Sequence, residues 1–472
     1  FIIIIIMKIS ICVIANTNNL QEIHKINETW GNDELCKEKG VNVSFIMNEP
    51  HPELLDSKYV YVKEIVDENG DKIPMIYHGL KTVYERETPD YILICSNDSY
   101  INIHKLIHYL DSYDPTNKLY FGGHGNFREL GEKRIYFHDA TGIVISKGCF
   151  NVLVNRLETI YVDWKKICKE TNNDWLIESW VVLFAYYLQI PEYEINALVI
   201  KNNGFIGCNH IGKNHKYYHG FRCCGDNIKI NKIIACRNML LSDFDDFTKK
   251  LQENNYYMKA LEPYSGDYNV KKHIDGIFYI NLDKRTDRRE EIEFELNRMN
   301  LPFERFPAIS TPGRGILGCG MSHLSVYKIA KERGYKNVLI FEDDFTFIIS
   351  KDELHTLLEK LFIEKVDFDL CMLGYLVNQS EDCEQYPFLK IVKNAQTASA
   401  YIVNEQFYDK LIELYEWAMP LLDTTGKHWI YANDQVWKKL QPESKWFCFD
   451  ERIGIQRDGF SDNANSYQTY NC

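Results

Sequence analysis

Three consecutive carboxylates, Glu342-Asp343-Asp344, follow the apolar run Val338-Leu339-Ile340-Phe341 and are the residues of this chain whose type and spacing best suit chemistry. Four consecutive apolar residues read as a buried parallel strand, and open α/β sheets bind ligands at the carboxyl ends of such strands. Packing explains an acidic triplet there poorly. Adjacent carboxylates repel one another and shift upward in pKa unless a cation or a basic partner compensates. The spacing Glu342-x-Asp344 brings two oxygen donors within reach of one hard divalent ion, whose open positions can carry a diphosphate. The plain alternative is a solvated acidic turn, so the neighbouring elements have to decide.

Those neighbours supply positive charge and free backbone donors. Residues 274–282 read as an apolar strand leading into Asp283-Lys284-Arg285-Thr286-Asp287-Arg288-Arg289, a basic turn that opens a helix over 290–299. Guanidinium forks and the N–H groups of a helix start suit phosphate oxygens, although local charge pairs at a solvated helix start are the competing reading. Residues 303–309 form a short strand, and 313–320 a glycine-rich passage into a helix over 321–333 that Ser322 and His323 open. Such a passage lets backbone approach a ligand closely, while His323 reads equally well as a buried, hydrogen-bonded side chain.

Bulk properties bound the rest. The 472 residues suggest two or three domains, and 54 Lys and Arg against 67 Asp and Glu give a net charge of −13, which disfavours a nucleic-acid surface. The 14 cysteines include no C-x-x-C, so a zinc ribbon has no support. Cys208, Cys223, Cys224 and Cys236 cluster and suit disulfides only in an exported chain, whereas Cys95, Cys319, Cys371 and Cys448 read as buried thiols. A sequon at Asn97 falls in a candidate active-site triplet, where a glycan would obstruct the pocket. A cytoplasmic protein without a stable membrane span is expected, the apolar start at residues 1–6 being too short to cross a bilayer. Domain boundaries are expected at 1–255 and 274–472, joined by a linker over 256–273.

The first half repeats the logic of the second. A strand over 8–15, a helix over 21–30, strands over 41–47 and 59–66 and a helix over 72–87 lead to a buried strand over 90–95, which ends in Ser96-Asn97-Asp98. Thr29-Trp30-Gly31, the block from Asp90 to Ile101, Tyr120-Phe121-Gly122-Gly123 and Thr141 to Ser146 resemble successive blocks of the Fringe and core-1 β1,3-galactosyltransferase group (glycosyltransferase family 31). That resemblance implies a manganese and UDP-sugar site, with Asp98 as the carboxylate that remains where Ser96 and Asn97 replace two others. It also implies a catalytic carboxylate at Asp174 or Glu178, with His210 or His219 as a late metal ligand. Asp174 as a helix cap and each histidine as an ordinary loop residue are the competing readings.

The second half resembles glycosyltransferase family 25, which contains lipooligosaccharide and collagen hydroxylysine galactosyltransferases. Tyr279 to Arg289, Gly318-Cys319-Gly320-Met321-Ser322-His323-Leu324, Ile340 to Asp344, Thr397 to Val403 and Ser461-Asp462 carry the likeness. Asn433 to Gln441, followed by Lys445 to Phe449 and Ile455-Gln456-Arg457, resembles the family members encoded by giant DNA viruses of amoebae. The resemblance implies a GT-A fold, so the expected fold class is α/β with two tandem GT-A (Rossmann-like) domains. It implies inverting transfer from UDP-galactose or UDP-glucose to a glycan or glycoprotein, collagen-like acceptors included. Glu342 and Asp344, with Asp462 completing the shell, would hold Mn2+ or Mg2+. Asn281, Arg285, Arg288, Ser322, His323 and Asp343 would hold the nucleotide and its phosphates. Asp434 is the first choice for the base that takes the acceptor proton and Asp423 the second, with helix capping as the other reading of Asp434.

Overall fold

In the computed structural model the chain divides into two compact units, Phe1–Ala260 and Leu261–Cys472. The structure describes residues 7–15, 18, 20–62, 73–123, 125–138, 141–189, 195, 197–201, 205–206, 233–237, 241–253, 269–457, 459–461 and 466–468. Residues 1–6, most of the expected linker, Cys208, His210, His219, Cys223, Cys224 and Asp462 lie outside that set. Among the described residues no helix is long and apolar enough to cross a membrane.

The first unit is built on a seven-stranded sheet in the spatial order Leu198–Lys201, Leu119–Gly122, Ile143–Ser146, Tyr91–Ser96, Ile9–Ile14, Val41–Met47 and Tyr59–Tyr61. Every neighbouring pair is parallel except the two made by Ile143–Ser146. The runs read as buried strands are buried on both faces, Ile92, Leu93, Ile94 and Cys95 being at most 1% exposed. The third strand is described only over Tyr59–Tyr61, shorter than the 59–66 expected.

The second unit has a six-stranded sheet ordered Glu304–Pro307, Gly276–Asn281, Asn337–Glu342, Leu389–Asn404, Leu370–Asp382 and Trp446–Phe449. Asn337–Glu342 pairs in parallel with Gly276–Asn281 and antiparallel with Leu389–Asn404, so the sheet is mixed at the strand that carries the acidic triplet. Side chains alternate between two helical layers, as the period of a strand requires. Leu339 and Phe341 pack with Ile292 and Leu296 of helix Thr286–Arg298 and with Leu354 and Leu358 of helix Lys351–Ile363. Val338 and Ile340 pack on the other face with Val326 and Tyr327 of helix Gly315–Glu332 and with Leu411 and Tyr415 of helix Tyr408–Thr425.

Two sequence expectations need correction here. The basic turn ends sooner than expected, because the helix begins at Thr286 with Asp287 in its first turn, so Arg288 and Arg289 sit on the helix itself. The glycine-rich passage is not a loop: helix Gly315–Glu332 contains Gly318 and Gly320. Their lack of a side chain serves packing, since a Cβ on Gly318 would lie 2.3 Å from the backbone oxygen of Ile309.

Candidate active site

Three neighbouring parallel strands of the second unit end at one edge of the sheet, and the segments that leave them form a cleft of about 200 Å³. Strand Gly276–Asn281 contributes Leu282, Lys284, Arg285 and Arg288, strand Glu304–Pro307 the loop from Ala308 to Gly313, and strand Asn337–Glu342 the acidic triplet. Helix Gly315–Glu332 adds Cys319, and Gln456 and Ser461 close the far side.

Arg288 answers the question posed by three adjacent carboxylates. Its Nη1 donates to Asp343 Oδ1 at 2.9 Å and to Asp344 Oδ2 at 3.0 Å, with all three side chains at most 13% exposed. A basic partner therefore compensates two of the three charges. Asp343 is further held by Asn281, whose Nδ2 donates to Oδ2 at 2.8 Å. Asn281 also donates to the Arg285 carbonyl at 3.0 Å and accepts from Arg305 Nε at 3.1 Å, so this buried amide secures the turn rather than facing the cleft. Arg285, at the cleft wall, pairs with Asp287 at 2.7 Å.

Asp344 is only partly satisfied. Oδ2 receives Arg288 and Gln456 Nε2, the latter at 3.1 Å, but Oδ1 is buried with no hydrogen-bond partner. Burial, with the charges of Glu342 and Asp343, pushes its carboxyl up to about 6 despite Arg288. Glu342 goes the other way. Burial raises it, but hydrogen bonds from His323 and Cys319 and the charges of His323 and Arg288 outweigh that and hold it below the usual carboxylate range. His323 Nε2 lies 3.0 Å and Cys319 Sγ 3.3 Å from the same atom, Oε1, so neither engages Oε2.

Cys319, His323 and Glu342 form a group whose potential metal-ligand atoms lie within 4.8 Å of one another. Burial and the Glu342 charge raise the Cys319 thiol well above its ordinary pKa, so it is a weak S–H donor rather than a thiolate. A hard divalent ion prefers oxygen. The oxygens left for it are Glu342 Oε2 and the unpartnered Asp344 Oδ1, and a bare buried carboxylate oxygen at a cleft is the feature a cation fits. Glu342 and Asp344 therefore suit such an ion.

Asp434 stands in the single-turn helix Asn433–Val436. Its Oδ2 accepts from the Thr397 N–H and its Oδ1 from Gln435 Nε2, both at 3.2 Å. Burial lifts its carboxyl above the ordinary value, and the Glu342 charge adds to the rise. It lies within electrostatic reach of Glu342 and Cys319. Asp423 is exposed and ion-paired with Arg314, which precedes helix Gly315–Glu332. Ser322 and His323 lie beneath the cleft. Ser322 Oγ accepts from Ile309 N–H at 2.8 Å and donates to the Gly318 carbonyl at 2.7 Å, tying down the loop that forms one wall. Sequence reasoning gave no role to Cys319, Gln456, Thr397 or Arg457, whose Nη2 donates to the Asp343 carbonyl at 2.7 Å. Only the fold reveals them, by bringing helix Gly315–Glu332, strand Leu389–Asn404 and the segment at Gln456 and Arg457 up to the triplet and Asp434.

In the first unit Asp98 pairs with Arg237 Nε at 3.4 Å. Asp174, in the one-turn helix Asp174–Leu176, and Glu178 are exposed. A pocket of about 410 Å³ in this unit is lined by Trp30, Tyr100, Asn102, His104 and Thr248 among others and includes none of the three acids.

Comparison with known proteins bears on the second unit. Residues 312–425, wholly inside it, match the family model described as glycosyltransferase family 25 (LPS biosynthesis protein). Procollagen galactosyltransferase 1-B of Xenopus laevis is 32% identical over 143 residues, covering 24% of this chain and 23% of that protein. Inactive glycosyltransferase 25 family member 3 of Homo sapiens is 32% identical over 128 residues, covering 21% of this chain and 22% of that protein. The chain thus spans less than a quarter of the length of these relatives, and they include one named as inactive. Among solved structures, a glycosyltransferase involved in glycosylation of the major capsid of PBCV-1 matches over 51% of this chain and 99% of its own, at 12% identity and a TM-score of 0.31, too low to define a shared fold. The carboxyl-terminal region is similar to family-25 glycosyltransferases.

Proposed function

We propose that the second unit is a GT-A type hexosyltransferase that moves galactose or glucose from a UDP-sugar to a glycan or glycoprotein hydroxyl with inversion. The observation that carries this reading is the unpartnered Asp344 Oδ1 in a cleft that also holds Arg285 and Arg288. The family-25 likeness of residues 312–425 supports it.

Glu342 and Asp344 would hold a divalent cation, Mn2+ or Mg2+, which when bound neutralises charge on the departing diphosphate. Lys284 and Arg285 line the same wall and offer positive charge to the phosphates. Arg288 holds Asp343 and Asp344 in place and offsets their repulsion. Asp434 serves as the base. The acceptor oxygen attacks the anomeric carbon, its proton passes to a carboxylate oxygen of Asp434, and the bond to the UDP oxygen breaks on the opposite face. An elevated carboxyl pKa brings Asp434 closer to the operating pH, where a general base works best.

A second reading concerns the first unit, which we take as a sugar- or acceptor-binding module rather than a second catalytic centre. Asp98 already spends its charge on Arg237, and Ser96 and Asn97 beside it bring none. The test is manganese-dependent UDP release from a panel of UDP-sugars by the full chain. Release is expected to disappear in Asp344→Ala and persist in Asp98→Ala. No release from any donor, or release that survives Asp344→Ala, overturns the assignment.

A further inference from the structure

The cleft side of Glu342 is open, but behind it runs a closed line of hydrogen bonds that the transfer reaction does not use. His323 Nε2 lies 3.0 Å from Glu342 Oε1, His323 Nδ1 lies 2.6 Å from the Tyr401 hydroxyl, and that hydroxyl lies 2.6 Å from the Tyr327 hydroxyl. His323, Tyr327 and Tyr401 are each 0% exposed. The elements that bring them together are helix Gly315–Glu332, which carries Cys319 and His323 one turn apart on one face, and strand Leu389–Asn404.

Proton accounting fixes the end of the line at Glu342. An ionised carboxylate only accepts, so Nε2 carries the hydrogen. In a neutral imidazole Nδ1 accepts from the Tyr401 hydroxyl, which accepts from Tyr327, and in an imidazolium Nδ1 donates to Tyr401, while Nε2 donates to Glu342 in both states. Each group thereby has its partner's geometry fixed from behind, ending on Glu342 Oε1. The Cys319 thiol on the same atom is a weak donor and cannot set the orientation alone.

We propose that His323, backed by Tyr401 and Tyr327, is the positioning residue that pins Glu342 through Oε1 and thereby turns Oε2 toward the cation. The proposal rests on the cation role given above to Glu342 and Asp344. It assigns to buried tyrosines the task that hydrogen-bonded outer groups perform for metal ligands, whose removal typically weakens metal binding about 10- to 100-fold.

The plain competing account is that the line merely satisfies buried polar groups. Tyr375 separates the two accounts. It is buried in the same unit, on strand Leu370–Asp382, but its hydroxyl donates to the Phe449 carbonyl and not to the line. Mn2+ affinity of the full chain, free of donor, is measured by electron paramagnetic resonance titration, with thermal unfolding alongside. Tyr401→Phe, which keeps the ring and removes the hydroxyl, is expected to weaken Mn2+ binding by about 10-fold or more. Saturating Mn2+ is expected to restore most of kcat in that variant. Tyr375→Phe is expected to lower the unfolding temperature comparably and leave Mn2+ affinity unchanged. Equal Mn2+ affinity in Tyr401→Phe and the unsubstituted chain overturns the proposal, as does equal weakening in Tyr375→Phe. Failure of the unsubstituted chain to bind Mn2+ overturns it together with the cation site. Failure to release UDP while the affinity ranking holds removes the transferase reading and leaves the positioning role standing.

Discussion

Asp344→Asn should make the cation-free protein more stable while depriving it of its cation. The Asp344 carboxyl rises from an ordinary 3.8 to about 6 on folding, because burial and two neighbouring acids outweigh Arg288. A group whose folded pKa is raised contributes stability that is fully present below its unfolded value and is lost as pH rises through the folded one. At pH 7 Asp344 is ionised in a place that disfavours charge. That gap corresponds to roughly 3 kcal/mol of penalty. Asparagine keeps the shape, accepts from Gln456 through its oxygen and carries no charge, and Arg288 retains Asp343. The unfolding transition of the second unit should therefore rise by roughly 5–10 °C at pH 7 without divalent ions. The gain should shrink as pH falls through about 6 and vanish near pH 4, where the native carboxyl is already protonated. Calorimetry at three pH values, with and without Mn2+, reads both effects, because a bound ion stabilises only the form that holds it. A lower unfolding temperature for Asp344→Asn at pH 7, or Mn2+ stabilisation equal to that of the unsubstituted chain, would refute the reasoning.

Other outcomes follow from the same geometry. Asp434→Asn should lower kcat by about 10²-fold or more with little change in the donor KM, checked by steady-state UDP release. Mn2+ affinity should weaken about tenfold per pH unit below about 6, as protons compete for Asp344, which titration at pH 5 and pH 7 resolves. Ser322→Ala leaves the Ile309 N–H without its acceptor and should lower stability by about 1–3 kcal/mol in chemical unfolding. Gly318→Ala drives a methyl group into the Ile309 carbonyl and should cost about as much, while also raising the donor KM by displacing the loop that walls the cleft.

Of the seven strands read from apolar runs, six begin and end within two residues of the observed ones, whereas Leu370–Asp382, Leu389–Asn404 and Trp446–Phe449 were not read as strands. Val41–Met47 was legible in full, and Asn337–Glu342 announced itself by four apolar residues and a charged end. What the sequence hid was long-range. Nothing local says that Gly318 and Gly320 are helical, because the reason is the backbone of Ile309 and the side chain of Met419, on other segments. The antiparallel partner of Asn337–Glu342 arrives from residues 389–404, beyond the reach of any local pattern. At the site, the triplet and Arg288 were visible as types, but their mutual neutralisation depends on a helix starting four residues earlier than its charge pattern suggested. Asn281 was expected to meet the nucleotide, and its amide is instead engaged within the turn.

Thr397 has a φ of 77°, a left-handed value rare for a β-branched residue. It lies where strand Leu389–Asn404 slips against its neighbour, Gly374 facing Ala400 and Leu376 facing Gln396. That kink aims the Thr397 amide at Asp434. A relaxed backbone here is thus incompatible with a held base. Laboratory selection for heat resistance alone should accept glycine or asparagine at this position, which hold the same left-handed turn without about 1 kcal/mol or more of torsional strain and keep the amide on Asp434.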